Sequence, residues 1–94
     1  MKKEVIVAVS GYFDPIHVGH LKYLKLAKNL GDKLIVIINN NLQAELKKGE
    51  FFMHEKDRME IVAALRFVDE VFLSVDTDGS VCKSLEIIKP DIFA

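Results

Sequence analysis

EVIVAVSGYFDPIHVGH, residues 4–20, decides the fold. Glu4 to Ser10 is near-continuously apolar and β-branched, as a strand covered on both faces must be. Gly11, Asp14 and Pro15 then form a tight turn, and from Val18 the apolar residues recur at helical spacing. His17 falls at the start of that helix and His20 within its first turn, so the i, i+3 spacing points both rings the same way. A helix start also exposes unpaired N–H groups and the positive end of the helix dipole, which together attract anions such as phosphates. Gly19, between the rings, has no side chain to keep a ligand off the backbone. A surface turn and a helix cap would account for two arbitrary histidines at this spacing. Strand, glycine turn, Asp-Pro and paired histidines in one run favour an anion site. Metal ligation ranks lowest, because the chain has one cysteine and no acidic pair shares the turn, and no metal ligand is assigned.

Outward from this stretch, strands and helices alternate. Val18 to Leu30 reads as a helix with Leu21, Leu24 and Ala27 on its apolar face and Gly31 as its stop. Asp32 to Asn39 holds a second buried strand, LIVII, and Asn40 to Phe52 reads as a polar, lysine-bearing loop. A second helix is expected from about Glu55 to Phe67, and a third strand from Val68 to Ser74. After the loop Val75 to Gly79, Ser80 is placed to cap a third helix that Pro90 stops before a last extended piece, Asp91 to Ala94. This βαβαβαβ order implies parallel strands joined by right-handed crossovers. The expected fold is an open α/β, Rossmann-like parallel sheet with helices on both faces. Ligands bind such sheets beyond the carboxyl ends of the strands, which brings the loops 11–17, 39–52 and 75–79 to one edge.

Composition narrows the function. At 94 residues the chain is expected to form one domain, 1–94, with a single core. Half the residues are hydrophobic, yet runs such as Leu34 to Ile38 fall far short of the ~20 residues a bilayer span needs. Met1 to Glu4 lead directly into a strand, which argues against a secretory signal and for a cytoplasmic protein. A formal net charge of −1 lacks the basic field that nucleic-acid binders use. Cys82 cannot form an internal disulfide and, beside Val81, is expected to be a buried or half-buried thiol without a catalytic role. The first βα turn has no G-x-G-x-x-G, which disfavours a dinucleotide redox enzyme.

GYFDPIHVGH resembles the G-x-F-D-x-x-H-x-G-H segment of the cytidylyltransferase-like branch of the nucleotidyltransferase superfamily. AKNLGDKLIVIINN, EKDRMEIVAALRFVDEVFLS and IKPDIFA extend the resemblance over essentially the whole chain, toward the glycerol-3-phosphate cytidylyltransferase and heptose-phosphate adenylyltransferase group. The resemblance implies transfer of CMP or AMP from CTP or ATP, with Mg2+, to a small phosphorylated acceptor such as a sugar or polyol phosphate. Pyrophosphate is released without a covalent enzyme intermediate. It implies that His17 and His20 contact the triphosphate as catalytic groups, that Lys47 or Lys48 reaches a phosphate, and that Arg58 contributes at the nucleotide. Gly11, Tyr12, Phe13, Asp14 and Gly19 would complete the nucleotide site, with Asp14 bracing the turn, and relatives of this kind are often homodimers. A non-catalytic nucleotide-binding module is the alternative. Asp76 and Asp78 are read as turn residues, and His54 as a loop residue.

The chain departs from the family pattern in two places. Tyr12 stands where many relatives have threonine, which moves the hydroxyl several ångströms outward. After a segment like PDIFA, relatives continue with a further strand and a serine/threonine-rich segment that opens a helix at the triphosphate, so this chain is expected to be a C-terminally truncated piece of a longer enzyme.

Overall fold

The structure, a computed structural model, describes residues 4–94; the reading of Met1 to Lys3 as a start without a signal lies outside the described residues. Eight elements follow one another: β1 (Ile6–Gly11), α1 (Val18–Lys28), β2 (Lys33–Ile38), α2 (Asn41–Lys48), α3 (Glu55–Ala63), β3 (Glu70–Leu73), α4 (Cys82–Ile88) and β4 (Ile92–Phe93). The four strands form one parallel sheet in the order β3-β2-β1-β4. This is the expected Rossmann-like α/β architecture, and side-chain alternation explains its layers. Val7, Val9, Leu34, Val36 and Ile38 point to one face, where Leu24 and Ala27 of α1 and Val62 of α3 bury them. Ala8 and Ile37 point to the other face, under Val81, Leu85 and Ile88 around α4.

The chain places β2 and then β3 to one side of β1, and α4 carries it back across the opposite face so that β4 pairs with the other side of β1. Strand order therefore reverses between β1 and β4, the position at which the carboxyl edge of an open α/β sheet opens a crevice. Tyr23 of α1 donates its hydroxyl to the Ala94 carbonyl at 2.9 Å and ties β4 to the α1 layer.

Four local expectations are corrected. The polar stretch 40–52 is not simply a loop, because Asn41–Lys48 is helical. The Asn40 side chain accepts from Gln43 N–H and the Gln43 side chain from Asn40 N–H, while Gly49, at φ 84°, stops the helix in the left-handed region. The helix at Glu55 ends at Ala63, with tight turns closing Leu65 onto Val62 and Val68 onto Leu65. Cys82 is exposed. Ser80 does not supply the main cap of α4. The carboxylate of Asp76, a residue only 2% exposed, accepts from Lys83 N–H at 2.8 Å and from Ser84 N–H and Oγ–H at 3.0 and 2.7 Å.

Burial pushes the Asp76 carboxyl up, but the Ser84 hydroxyl and the Lys83 and Ser84 amides outweigh it and hold the group below the ordinary carboxylate range. Its stabilisation is therefore complete above that range and is lost as pH falls through the depressed folded-state value. Asp76→Ala should lower the urea midpoint by the equivalent of about 2 to 4 kcal/mol at neutral pH. The variant should also lose less stability than the parent on acidification, which urea titrations at neutral and acid pH will show.

Candidate functional site

Two adjoining clefts open at the carboxyl edge of the sheet. One, about 310 Å3, lies over the motif turn and is lined by Tyr12, Pro15, His17, His20, Lys47 and Lys48, among others. The other, about 510 Å3, lies at the β1/β4 reversal, against Gly11, Asn39, Gly79, Val81, Leu85 and Phe93. Tyr12 and Lys47 line both. The Lys47 ammonium stands 4.6 Å from the centroid of the Tyr12 ring, a cation–π pair at the boundary between the clefts.

Their backbone partners fix the two imidazoles. His17 is the N-cap of α1, and its Nδ1 accepts from Gly19 N–H at 3.1 Å. His20 Nδ1 accepts from His17 N–H at 3.0 Å. The rings stack with centroids 4.0 Å apart and planes inclined at 32°. A neutral imidazole whose Nδ1 accepts must carry its proton on Nε2, so each ring keeps one N–H donor with no acceptor among the described residues. Burial, and then the neighbouring His17, push the His20 imidazole below its ordinary value and favour this neutral form.

This arrangement corrects one expectation and adds to another. The helix-start amides of His17 and Gly19 are not free for a ligand, because the imidazoles take them. Gly19 also clears space for a neighbouring side chain. A Cβ there would lie 2.8 Å from His17 Cε1 and 3.0 Å from Nδ1, so its missing side chain makes room for the ring. Gly11 has a similar role in the layer beneath. Its Cβ would collide with the Phe13 ring at 2.7 Å, and Phe13, at φ 51°, folds back over it. Phe13, expected at the nucleotide, is 1% exposed and packs in the core, and it also lines the smaller cleft. It serves the site by meeting His20 edge-to-face at 4.8 Å.

Asp14 and Lys48 hold each other. The Asp14 side chain is fully buried and accepts from Lys48 Nζ at 2.8 Å, from Phe52 N–H at 2.7 Å and from Met53 N–H. Burial pushes the carboxyl up; Lys48 and the two amides pull it further down, so it stays ionised. Asp14 thus staples the segment after α2 to the motif turn, and of the two lysines Lys47 is the one without a carboxylate partner among the described residues.

Arg58, read as a nucleotide contact, lies inside the molecule at 1% exposure. Its Nε donates to the Met53 carbonyl, Nη1 to the Tyr12 and Asn39 carbonyls at 2.8 and 2.6 Å, and Nη2 to Asn41 Oδ1. It binds together the ends of β1 and β2 and the starts of α2 and α3, and four of its five N–H donors bond the chain itself. His54, read as a loop residue, is the N-cap of α3. Asp76 caps α4 and Asp78 bonds Ser80, so both are the turn residues expected. Sequence reasoning misses Gln43, which is fully buried behind the boundary between the clefts. Its signal is the N-x-x-Q spacing from Asn40.

Gly19→Ala should displace the His17 ring and cost about 1 kcal/mol of stability, read by urea titration. It should also shift the His17 ring resonances in the NMR spectrum. Because the folded state disfavours protonated His20, the unfolded chain binds the proton first, and stability should fall as pH drops through the ordinary histidine range. His20→Asn should flatten that region of the stability profile.

Known proteins resemble this chain in sequence and in fold. The family model described as cytidylyltransferase-like matches residues 8–94. The chain is 41% identical over 97 residues to a protein named FAD synthase from Thermococcus sibiricus, across 99% of this chain and 63% of that one. It is 42% identical to a FAD synthase from Ferroglobus placidus over 58% of the latter's length, and 39% identical to the bifunctional protein HldE of Methylobacillus flagellatus over 19% of it. The chain thus spans about three fifths of the length of the FAD synthases it matches. A crystal structure named as a lipopolysaccharide core biosynthesis protein from Thermoplasma volcanium superposes with a TM-score of 0.89 at 32% identity, covering 97% of this chain and 73% of that one. With its parallel sheet, its histidine-capped first helix and a family match over nearly its whole length, the chain belongs to the cytidylyltransferase-like nucleotidyltransferase family.

Proposed function

We propose that this chain carries the nucleotidyl-transfer site of an adenylyltransferase acting on a phosphate monoester. The observation that carries the reading is the pair of imidazoles whose Nδ1 atoms are tied to their own helix start, leaving two Nε2–H donors in one cleft with Lys47 and Lys48. A polyphosphate is the ligand that such a set of fixed donors and cations recognises. In the reaction, an oxygen of the acceptor phosphate forms a bond to the nucleotide α-phosphorus. The bond from that phosphorus to the bridging oxygen breaks, and pyrophosphate leaves with the electron pair. The protein's task is to position the groups and to meet the developing charge. His17 and His20 donate from Nε2 to the nonbridging and departing oxygens. Lys47, shared by both clefts, faces the phosphorus from the boundary, and the larger cleft beside Gly11 and Val81 receives the nucleoside. Asp14 holds Lys48 and the turn in place.

Among the described residues, no group of three or more His, Cys, Asp or Glu could hold a metal ion. Asp14, the carboxylate of the motif turn, is already occupied by Lys48, Phe52 and Met53. A divalent cation fits this site as part of the substrate, carried by phosphate oxygens and water as Mg2+ commonly is, where it would neutralise phosphate charge.

The named relatives support adenylyl transfer. FAD is FMN extended by an AMP unit, and FMN ends in a ribityl phosphate, a polyol phosphate. FMN is therefore the first acceptor to test. A sugar phosphate is the second, favoured by the structural likeness to a protein named for lipopolysaccharide core synthesis. No helix of the described residues is long and apolar enough to cross a membrane. A cytoplasmic location and a homodimer remain within the proposal, since soluble substrates and family habit support them.

ATP and CTP, each with Mg2+, should be offered with FMN and with a panel of sugar and polyol phosphates, following pyrophosphate release and, by calorimetry, nucleotide binding. ATP with FMN should turn over. His17→Ala and His20→Ala should each lower turnover by roughly a hundred- to thousandfold. ATP binding without turnover on any acceptor would favour the non-catalytic module. Unchanged binding and turnover in both histidine variants would overturn the site.

A further inference from the structure

Gln43 is fully buried, and three of the four hydrogen bonds its carboxamide can make are present. Oε1 accepts from Asn40 N–H at 3.0 Å, and Nε2 donates to the carbonyls of Asp78 at 2.7 Å and Ser80 at 2.8 Å. At the N-cap of the same helix, Asn40 Nδ2 donates to the carbonyls of Ser74 and Asp76. Helix α2 is thus clasped through four donated bonds to the 74–80 segment, whose Gly79 and Ser80 wall the larger cleft. Lys47 lies one turn beyond Gln43, on the same side of α2. Gln43, Lys47, Tyr12 and Gly79 share the lining of one hollow at the boundary.

We infer that Gln43 is a positioning residue: its carboxamide fixes α2 to the 78–80 backbone and so sets the Lys47 ammonium over Tyr12, where the two clefts meet. The inference rests on the nucleotidyl-transfer reading only for its consequence in turnover; the placement of Lys47 is testable without it. No other side chain of this length serves as well. Glutamate would bring carboxylate oxygens against two carbonyls, and methionine would fill the space but leave both carbonyls without a donor.

The first readout is structural. In the parent, the Lys47 ε-methylene protons should be shifted upfield by the Tyr12 ring, and Tyr12→Leu should abolish that shift. Gln43→Met should also abolish it while the amide spectrum of the sheet stays folded. If Gln43→Met proves unfolded, Gln43→Glu supplies the same test. Its ring-current shift should be lost at neutral pH and recovered in part at acid pH, where a protonated carboxyl can again donate. The second readout is a double-mutant cycle in ATP affinity and, where turnover is found, in kcat. Gln43→Met should weaken the parent by roughly five- to thirtyfold. It should have almost no further effect in Lys47→Met, because both changes remove one function. A shift that survives Gln43→Met, or losses that multiply across the cycle, would overturn the inference. A parent that binds no ATP but loses the Lys47 shift in Gln43→Met would overturn the transfer reading alone.

Discussion

Two backbone N–H groups at the start of α1 find their acceptors in imidazole nitrogens, and the rest of the site depends on that exchange. A helix start leaves several amides without intrahelical partners, and most helices satisfy them with a hydroxyl, a carboxylate or water. Here His17 N–H and Gly19 N–H donate to the two Nδ1 atoms. The same bonds satisfy the cap, choose the tautomer and orient the rings. An amide donating to Nδ1 also polarises the imidazole and makes its Nε2–H a better donor. The positive end of the helix is in this way passed outward through two rings to whatever lies in the cleft.

Such an arrangement tolerates little slack, and the layers beneath it supply the rigidity. Gly11 gives Phe13 room to fold back, Phe13 seats His20, and Gly19 leaves the space that the His17 ring fills. The carboxyl edge of the sheet is held by buried and half-buried polar side chains that bond loop backbone. Arg58 joins four segments, Gln43 and Asn40 tie α2 to the 74–80 segment, and Asp76 caps α4. Among the described residues no buried side-chain nitrogen or oxygen lacks a partner. Full satisfaction matters, because a half-satisfied polar network destabilises more than an apolar one. The imidazole Nε2 atoms and Lys47 line the clefts at this edge, where a ligand would meet them.

The sheet and the cleft are legible in the sequence because their signals are local. Continuous β-branched runs mark parallel strands, and GYFDPIHVGH places two rings on one helix start. Two kinds of residue escape. Helix α2 reads as loop on its polarity, although Asn40, Gln43 and Gly49 mark both its ends; its apolar residues Leu42 and Leu46 are exposed, so the periodicity that signals a buried face is missing. Arg58 reads as a nucleotide contact because the resemblance carries a family arginine onto EKDR, and a position in sequence does not show what its guanidinium meets. Its four acceptors come from positions 12, 39, 41 and 53, a meeting that only the tertiary fold creates. The lysines illustrate the same point. Spacing does not separate Lys47 from Lys48, whereas the buried carboxylate of Asp14 does so by holding Lys48.

The most direct test of the central claim is a long-range 1H–15N correlation spectrum of the histidine side chains at neutral pH, before and after addition of ATP with Mg2+. His17 and His20 should each show an unprotonated Nδ1 and a protonated Nε2, and ATP should move the Nε2 signals of both while the tautomers stay fixed. Rings exchanging between tautomers, or protonated at Nδ1, would contradict that claim, as would Nε2 signals that ignore the nucleotide.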